Sequence, residues 1–263
     1  MSMDTYYPGP SQANNVNLPE SQDSLLVHCC KQMCDRFARY SPRRVFAKQF
    51  RLKDVDDPLA YVGDTQPSWN IVPGKPCLVL RTEPTWEPGF AYLSWGFLPH
   101  WVNDTKAAAL SINARAETAP VNPYFRSSLV YKRCLVAADG FYEWRERGRR
   151  KQPYFVQMAD GSPFALAGLW DQCGRGASAV ASFTILTTEA NELMAPIHSR
   201  MPVIVSPENY ELWLDPEITS VGKILHIFRP YRASQMICYR VSDKVNSPEN
   251  DGPELIQPAV KKG

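Results

Sequence analysis

The sequence predicts an α+β fold: a single domain around a curved, mostly antiparallel β-sheet or barrel, with a few flanking helices. Three observations point there. Short apolar runs rich in Val, Ile and aromatic residues recur along the chain, bounded by Gly, Pro, Asp or Asn, as strands are. Proline (23) outnumbers glycine (14) and aromatic residues reach 11%, which favours short strands and structured loops over a helical bundle. Helical periodicity is confined to three short stretches.

In chain order, the strand signals fall at Cys77–Leu80, Phe90–Phe97, Cys134–Ala138, Tyr154–Met158, Phe164–Leu169, Ser182–Leu186, Pro202–Val205 and Met236–Val241. Asp139-Gly140 sits between two apolar arms within Val136–Trp144 and reads as a two-residue hairpin turn. Asp160-Gly161 repeats the device between Val156–Met158 and Phe164–Leu166. Helices are expected at Glu189–Ile197 behind the caps Thr187 and Thr188, and at Pro207–Leu214 behind Ser206. A third is expected at Ile218–Phe228, where apolar residues recur at helical spacing. No internal repeat occurs.

At 263 residues, 44% hydrophobic and 21% charged, the chain can bury a sizeable core and is not a disordered polymer. No apolar run approaches the roughly 18–20 residues of a membrane span, and no signal peptide is recognisable. A cytoplasmic protein without membrane contact is expected. With 29 basic and 27 acidic residues, a net charge of +2, binding by sheer polycation content is excluded, so any nucleic-acid contact needs a local patch. The seven cysteines, an odd number without a signal peptide, read as reduced thiols. Cys77, Cys134 and Cys238 sit in apolar stretches as small buried hydrophobes. His28, Cys29, Cys30 and Cys34 are crowded into seven residues with no second knuckle, which is not the paired layout of structural zinc. Neither metal nor cofactor is called for.

Residues 1–33 are polar, rich in Pro, Asn, Ser and Gln and without apolar periodicity; a disordered leader is expected. The organisation read from this is leader 1–33, folded domain 34–258 and tail 259–263. The leader carries a net charge of −2, so the remainder is more basic than the whole, at +4.

Five segments carry residue types that packing alone explains poorly: Met33–Tyr40, Asn70–Gly74, Ser111–Thr118, Asp139–Trp144 and Pro196–Val205. Singly, each has an ordinary structural reading. Glu143 is then a solvated cross-strand charge, Asn113 a turn-capping amide, and His198 a satisfied histidine before a strand.

Together, and in this order, they resemble the SOS-response-associated peptidase family of abasic-site processing proteins. The resemblance runs from Met33 to about Pro258. It rests on Met33-Cys34-Asp35-Arg36-Phe37, Asn70-Ile71-Val72-Pro73, Asn113-Ala114-Arg115-Ala116-Glu117-Thr118, Asp139 to Trp144, His198-Ser199-Arg200-Met201-Pro202 and Leu255-Ile256-Gln257-Pro258. The resemblance implies binding to single-stranded DNA with an abasic site, and covalent capture of its ring-opened aldehyde by a cysteine at the mature N-terminus. Such chemistry needs an N-terminal cysteine. A free α-amine, with pKa near 7.7–8.0, is substantially neutral at physiological pH and forms an imine. The thiol on the same residue then closes a five-membered thiazolidine, a step helped by proximity.

Carried over residue by residue, the resemblance makes Cys34 the nucleophile through amine and thiol. Asn113 would hold its backbone or the sugar oxygen, Glu143 would act as general acid/base, and His198 would assist opening of the deoxyribose ring. Arg36, Arg115 and Arg126 match basic positions of the motifs and would contact phosphates. Trp101 and Trp144 would stack on bases, each stack worth about 1–3 kcal/mol, or wedge against the complementary strand at a junction, whereas Trp95 and Trp170 read as core. The run Arg145, Arg147, Arg149, Arg150 and Lys151 directly after Trp144 is either a further DNA contact or a solvated hairpin tip, the latter being the better reading for Arg149 and Arg150. The partner is single-stranded DNA, bound by a monomer with little sequence preference.

Two features depart from the family. Asp35 replaces a glycine, adding a carboxylate beside incoming phosphates or one turned toward Arg36 or His198. The residues before Cys34 would block its amine. Either Met33 is the true initiator, or the Met33–Cys34 bond is cut by the protein itself, or the leader keeps the chain inactive. Two other functions stay open at this level: a cysteine-type peptidase or amidase acting on proteins, and a non-covalent single-strand-binding module.

Overall fold

The computed structural model describes residues 35–52, 66–82, 88–102, 110–148, 150–176 and 179–259. The chain divides into Met1–Gln32 and Met33–Gly263, and every described residue belongs to the second unit. Its strands are β1 (Phe37–Arg39), β2 (Ser68–Ile71), β3 (Pro76–Thr82), β4 (Pro88–Trp95), β5 (Asn113–Arg115), β6 (Arg133–Ala138) and β7 (Gly140–Arg147). There follow β8 (Arg150–Met158), β9 (Phe164–Cys173), β10 (Val180–Glu189), β11 (Arg200–Pro202), β12 (Ile204–Val205) and β13 (Met236–Arg240). The helices are short: α1 (Arg43–Gln49), α2 (Arg126–Tyr131) and α3 (Tyr210–Leu214).

Five strands close on themselves, in the cyclic order β10, β4, β3, β6, β9 and back to β10. All of these pairings are antiparallel except β10 with β4, where Phe183 lies opposite Trp95. A second, wholly antiparallel sheet runs β13-β8-β7-β1-β2. The expected α+β fold on a curved, mostly antiparallel sheet is therefore the one observed. Side-chain alternation explains how β6 is buried at every position. Cys134, Val136 and Ala138 join Phe37, Phe141 and Val156 of the second sheet in one core. Leu135 and Ala137 join a core with Leu129, Trp213 and Phe228.

The expected hairpin at Asp139-Gly140 does not form. β6 ends in the barrel at Ala138, and β7 starts in the other sheet at Gly140. Asp139 bonds elsewhere: Oδ2 accepts from Tyr40 N at 2.6 Å and Ser41 N at 2.8 Å, and Oδ1 accepts from Ser41 Oγ at 2.6 Å. Gly140 is required because a Cβ there would lie 2.1 Å from Phe155 Cζ. Asp160-Gly161 likewise makes a turn, with Gly161 at φ +72°, but it joins β8 and β9 of different sheets. In both cases a sheet crossing has the local chemistry of a hairpin.

β7 instead forms a hairpin with β8, with Arg147 opposite Arg150 at its tip. Arg145, Arg147, Arg150 and Lys151 therefore lie at or near that tip, while Arg149 lies outside the described residues. The helix expected at Glu189–Ile197 is absent. β10 continues to Glu189, and residues 192–197 form turns in which Asn191 Oδ1 accepts from Met194 N at 3.0 Å. Pro207–Leu214 is helical, a 3₁₀ turn leading into α3, but Ile218–Phe228 contains only the 3₁₀ turns Val221–Lys223 and Leu225–Phe228. Among the described residues, no helix is long and apolar enough to cross a membrane.

Candidate functional site

Two parts of the fold gather the motif segments. The first is the β1–β7 pair. Phe37 lies opposite Phe141, and Tyr142 N donates to Arg36 O at 3.0 Å, so the chain entering β1 runs alongside Glu143. Glu143 shares a face of β7 with Phe141, which packs against the barrel. Its carboxylate is consequently buried, with the residue 2% exposed, instead of being the solvated cross-strand charge of the ordinary reading. Cys34 lies outside the described residues. Its covalent neighbour Asp35 is half-buried; burial raises its carboxyl above the usual value against the opposing charges of Arg36 and Lys151.

The second part is the C-terminal end of β10. β5 pairs with it in parallel, placing Asn113 opposite Ile185 and Arg115 opposite Thr187. β11 pairs with it antiparallel, placing Arg200 opposite Glu189. Asn113 and His198 thus sit on segments flanking one strand. His198 is half-buried, and its Nδ1 lies 3.2 Å from both the amide nitrogen and the carbonyl oxygen of Arg200. Arg200 grips Glu117 bidentately at 3.0 and 2.8 Å and donates to Thr187 O at 2.5 Å. Burial raises the Glu117 carboxyl, but the Arg200 hydrogen bonds, its own backbone bond and the Arg200 and Arg115 charges prevail and hold it below the ordinary value.

The two parts meet at Trp95. Its ring packs edge-on against Phe37 at 5.1 Å, and its Nε1 donates to Ile112 O, next to Asn113, at 2.9 Å. Trp95 is fully buried, in keeping with its core reading, while Trp170 is half-buried beneath the Arg81 guanidinium at 4.2 Å.

The residues expected to bind DNA are dispersed. Arg115 and Arg126 are exposed, and Trp101 is 53% exposed. Trp101 meets Tyr124 edge-on at 5.6 Å, two residues before Arg126. Trp144 is half-buried and donates from Nε1 to Asn246 Oδ1 at 2.8 Å. Arg36 Nη1 donates to Asn70 Oδ1 at 3.1 Å and Val245 O at 2.9 Å, which gives it a bracing duty within the protein. Asn70, left without a role by the sequence, is nearly buried and donates to the carbonyls of Ser247 and Asn250. Glu117 with Arg200 was also missed, although both stand inside singled-out segments; their 83-residue separation hid the pairing.

A cleft of about 840 Å³ lined by Gln49, Asp160, Tyr210, His226 and Arg232, among others, contains none of these residues. Among the described residues no three His, Cys, Asp or Glu side chains gather to hold a metal; His28, Cys29, Cys30 and Cys34 lie outside them.

The sequence model of the SOS response associated peptidase (SRAP) family matches residues 33–248, and the chain belongs to that family. It is 38% identical over 227 residues to the abasic site processing protein YoqW of Bacillus subtilis (strain 168), covering 86% of this chain and 99% of that protein. It is 30% identical over 230 residues to the abasic site processing protein YedK of Escherichia coli (strain K12), covering 86% and 100%. The fold matches a crystal structure of a protein from Bacteroides thetaiotaomicron with a TM-score of 0.75 and 26% identity, over 86% of this chain and all of that one.

Proposed function

We propose that the chain binds abasic sites in single-stranded DNA and captures them covalently through Cys34, shielding the lesion. The observation that carries this reading is the placement of Glu143, a buried carboxylate on β7, beside the strand whose chain begins just after Cys34. In the proposed sequence the Cys34 amine adds to the sugar aldehyde carbon, and loss of water gives an imine. The Cys34 sulfur then adds to that carbon while the nitrogen takes up a proton, closing the thiazolidine. Glu143 moves the protons as general acid/base from its buried position on β7. His198 assists opening of the sugar ring and Asn113 holds the reacting residue. Arg115, Arg126 and Trp101 are the exposed contacts for DNA, and Trp144 and Arg36 brace the site as well as bordering it.

The domain is proposed to span 34–258, with family similarity starting one residue earlier. Release of the Cys34 amine is proposed to follow from initiation at Met33. Self-cleavage of the Met33–Cys34 bond is the second reading, favoured by the family's description as a peptidase. The protein is taken to act as a cytoplasmic monomer.

The test uses a chain beginning at Cys34 and an oligonucleotide with a single abasic site. A protein–DNA band that survives denaturation is expected, absent with Cys34→Ser and slowed about 100-fold or more with Glu143→Gln. A stable band from Cys34→Ser would overturn the role of the thiol. N-terminal sequencing of the full-length protein and its Glu143→Gln variant separates initiation at Met33 from self-cleavage.

A further inference from the structure

Outside the site, a buried carboxylate joins the two elements that carry Trp101 and Arg126. Asp171 lies on β9 and is 2% exposed. Its Oδ2 accepts from His100 N at 2.8 Å and faces His100 Nδ1 at 2.9 Å. Its Oδ1 is paired with Lys132 Nζ, immediately after α2, and accepts from Gln172 N at 2.8 Å. Two residues along β9, on the same face, Cys173 Sγ donates to Val102 O at 2.9 Å. The residues on both sides of Trp101 are therefore tied to β9, and Val102 N closes a turn onto Pro99 O at 3.0 Å. The indole is left at the apex, 53% exposed, with Tyr124 against it. Trp170 N donates to Lys132 O at 2.8 Å, fastening the end of α2 to the same strand.

An exposed indole on a loose loop would lose entropy on stacking against a base; one held in place loses less. We infer that Asp171 is a positioning residue for DNA engagement, locking the Trp101 turn and the end of α2 into one surface that presents Trp101 and Arg126 together. This rests on the reading of Trp101 as a base-stacking residue. Ionised Asp171 only accepts hydrogen bonds, and its four partners are all donors. Asparagine in its place offers one acceptor oxygen and sets an amide donor against the remaining partners.

The experiment compares Asp171→Asn and the milder Lys132→Gln by amide hydrogen exchange and by affinity for an undamaged single-stranded oligonucleotide, each with Trp101 present and with Trp101→Ala. Asp171→Asn is expected to speed exchange at His100–Val102 about tenfold or more and to weaken DNA binding about fivefold to tenfold, but only while Trp101 is present. Lys132→Gln is expected to act in the same direction to a smaller extent. Unchanged exchange at His100–Val102 in Asp171→Asn would overturn the positioning role. An equal loss of affinity in the Trp101→Ala background would overturn action through Trp101. Unaltered affinity in Trp101→Ala alone would defeat the stacking reading itself, and the inference with it, even where exchange responds.

Discussion

Asp139 and Asp171 are both almost wholly buried, at 3% and 2% exposure, and each fastens a loop to the end or edge of a strand. They nevertheless depart from ordinary acidity in opposite directions. Burial raises the Asp139 carboxyl, and the Ser41 hydroxyl, the Ser41 and Tyr40 amides and the Arg39 charge only partly offset it. Burial also opposes ionisation of Asp171. There the Lys132 ammonium, together with bonds from the His100 amide, its ring and Gln172, outweighs it and holds the carboxyl below the usual range. Asp139 is the more deeply desolvated of the two, and the partners differ as well. Hydroxyl and amide dipoles with a more remote Arg39 charge leave its carboxyl raised, whereas a directly bonded ammonium helps to keep Asp171 charged.

The largest effect that sharpens this contrast is on stability. Asp171→Asn is expected to cost about 2–3 kcal/mol, because one amide oxygen replaces two acceptors facing four donors. Asp139→Asn is expected to cost less than about 1 kcal/mol. There the new oxygen can take the Tyr40 and Ser41 amides, while the new NH₂ donates to a Ser41 hydroxyl that rotates to accept. Urea denaturation of both variants at neutral pH checks the ordering. A larger loss for Asp139→Asn would show that charge pairing is not what separates the two sites.

A smaller but more diagnostic effect is the sign of the pH dependence. Asp171, its folded pKa lowered, contributes fully above the unfolded value near 3.9 and loses that contribution as pH falls through its folded value. Asp139, its folded pKa raised, contributes fully below the unfolded value and loses it as pH rises through its folded value. The stability gap between wild type and Asp171→Asn should therefore widen as pH rises from acid toward neutrality, and the gap for Asp139→Asn should narrow. Denaturant midpoints across that range test this, and parallel slopes would remove the contrast.

These two aspartates also mark where the sequence was readable. Asp139 stands in a recognisable segment, and its local signal was real but named the wrong geometry. An Asp-Gly turn specifies a change of direction, while the choice of strand partner is made by β1 and β3, more than 50 residues away from Asp139 along the chain. The segments that bear Glu143, Asn113 and His198 were singled out through motif order, and the folded chain adds that the segments of Asn113 and His198 flank one strand. Asp171 was invisible. Its partners His100 and Lys132 are 71 and 39 residues distant, and none of the three belongs to a singled-out segment. Periodicity reports which face a residue occupies; it carries nothing about which distant donor will meet a buried acceptor.

The smallest expected effect belongs to Glu117, whose carboxyl is also held below its ordinary value and is also bonded by a cation. If a cationic partner alone set the value of a carboxylate, Glu117→Gln would rival Asp171→Asn. Glu117 is 50% exposed, however, so water competes for it and salt screens it. Arg200 also keeps its bonds to Thr187 when Glu117 is changed. Glu117→Gln is expected to cost only about 0.2–0.5 kcal/mol, and less at high salt than at low. Denaturation at two salt concentrations measures it. A salt-independent loss as large as that of Asp171→Asn would mean that burial, the property Asp139 and Asp171 share, is not what magnifies the choice of partner.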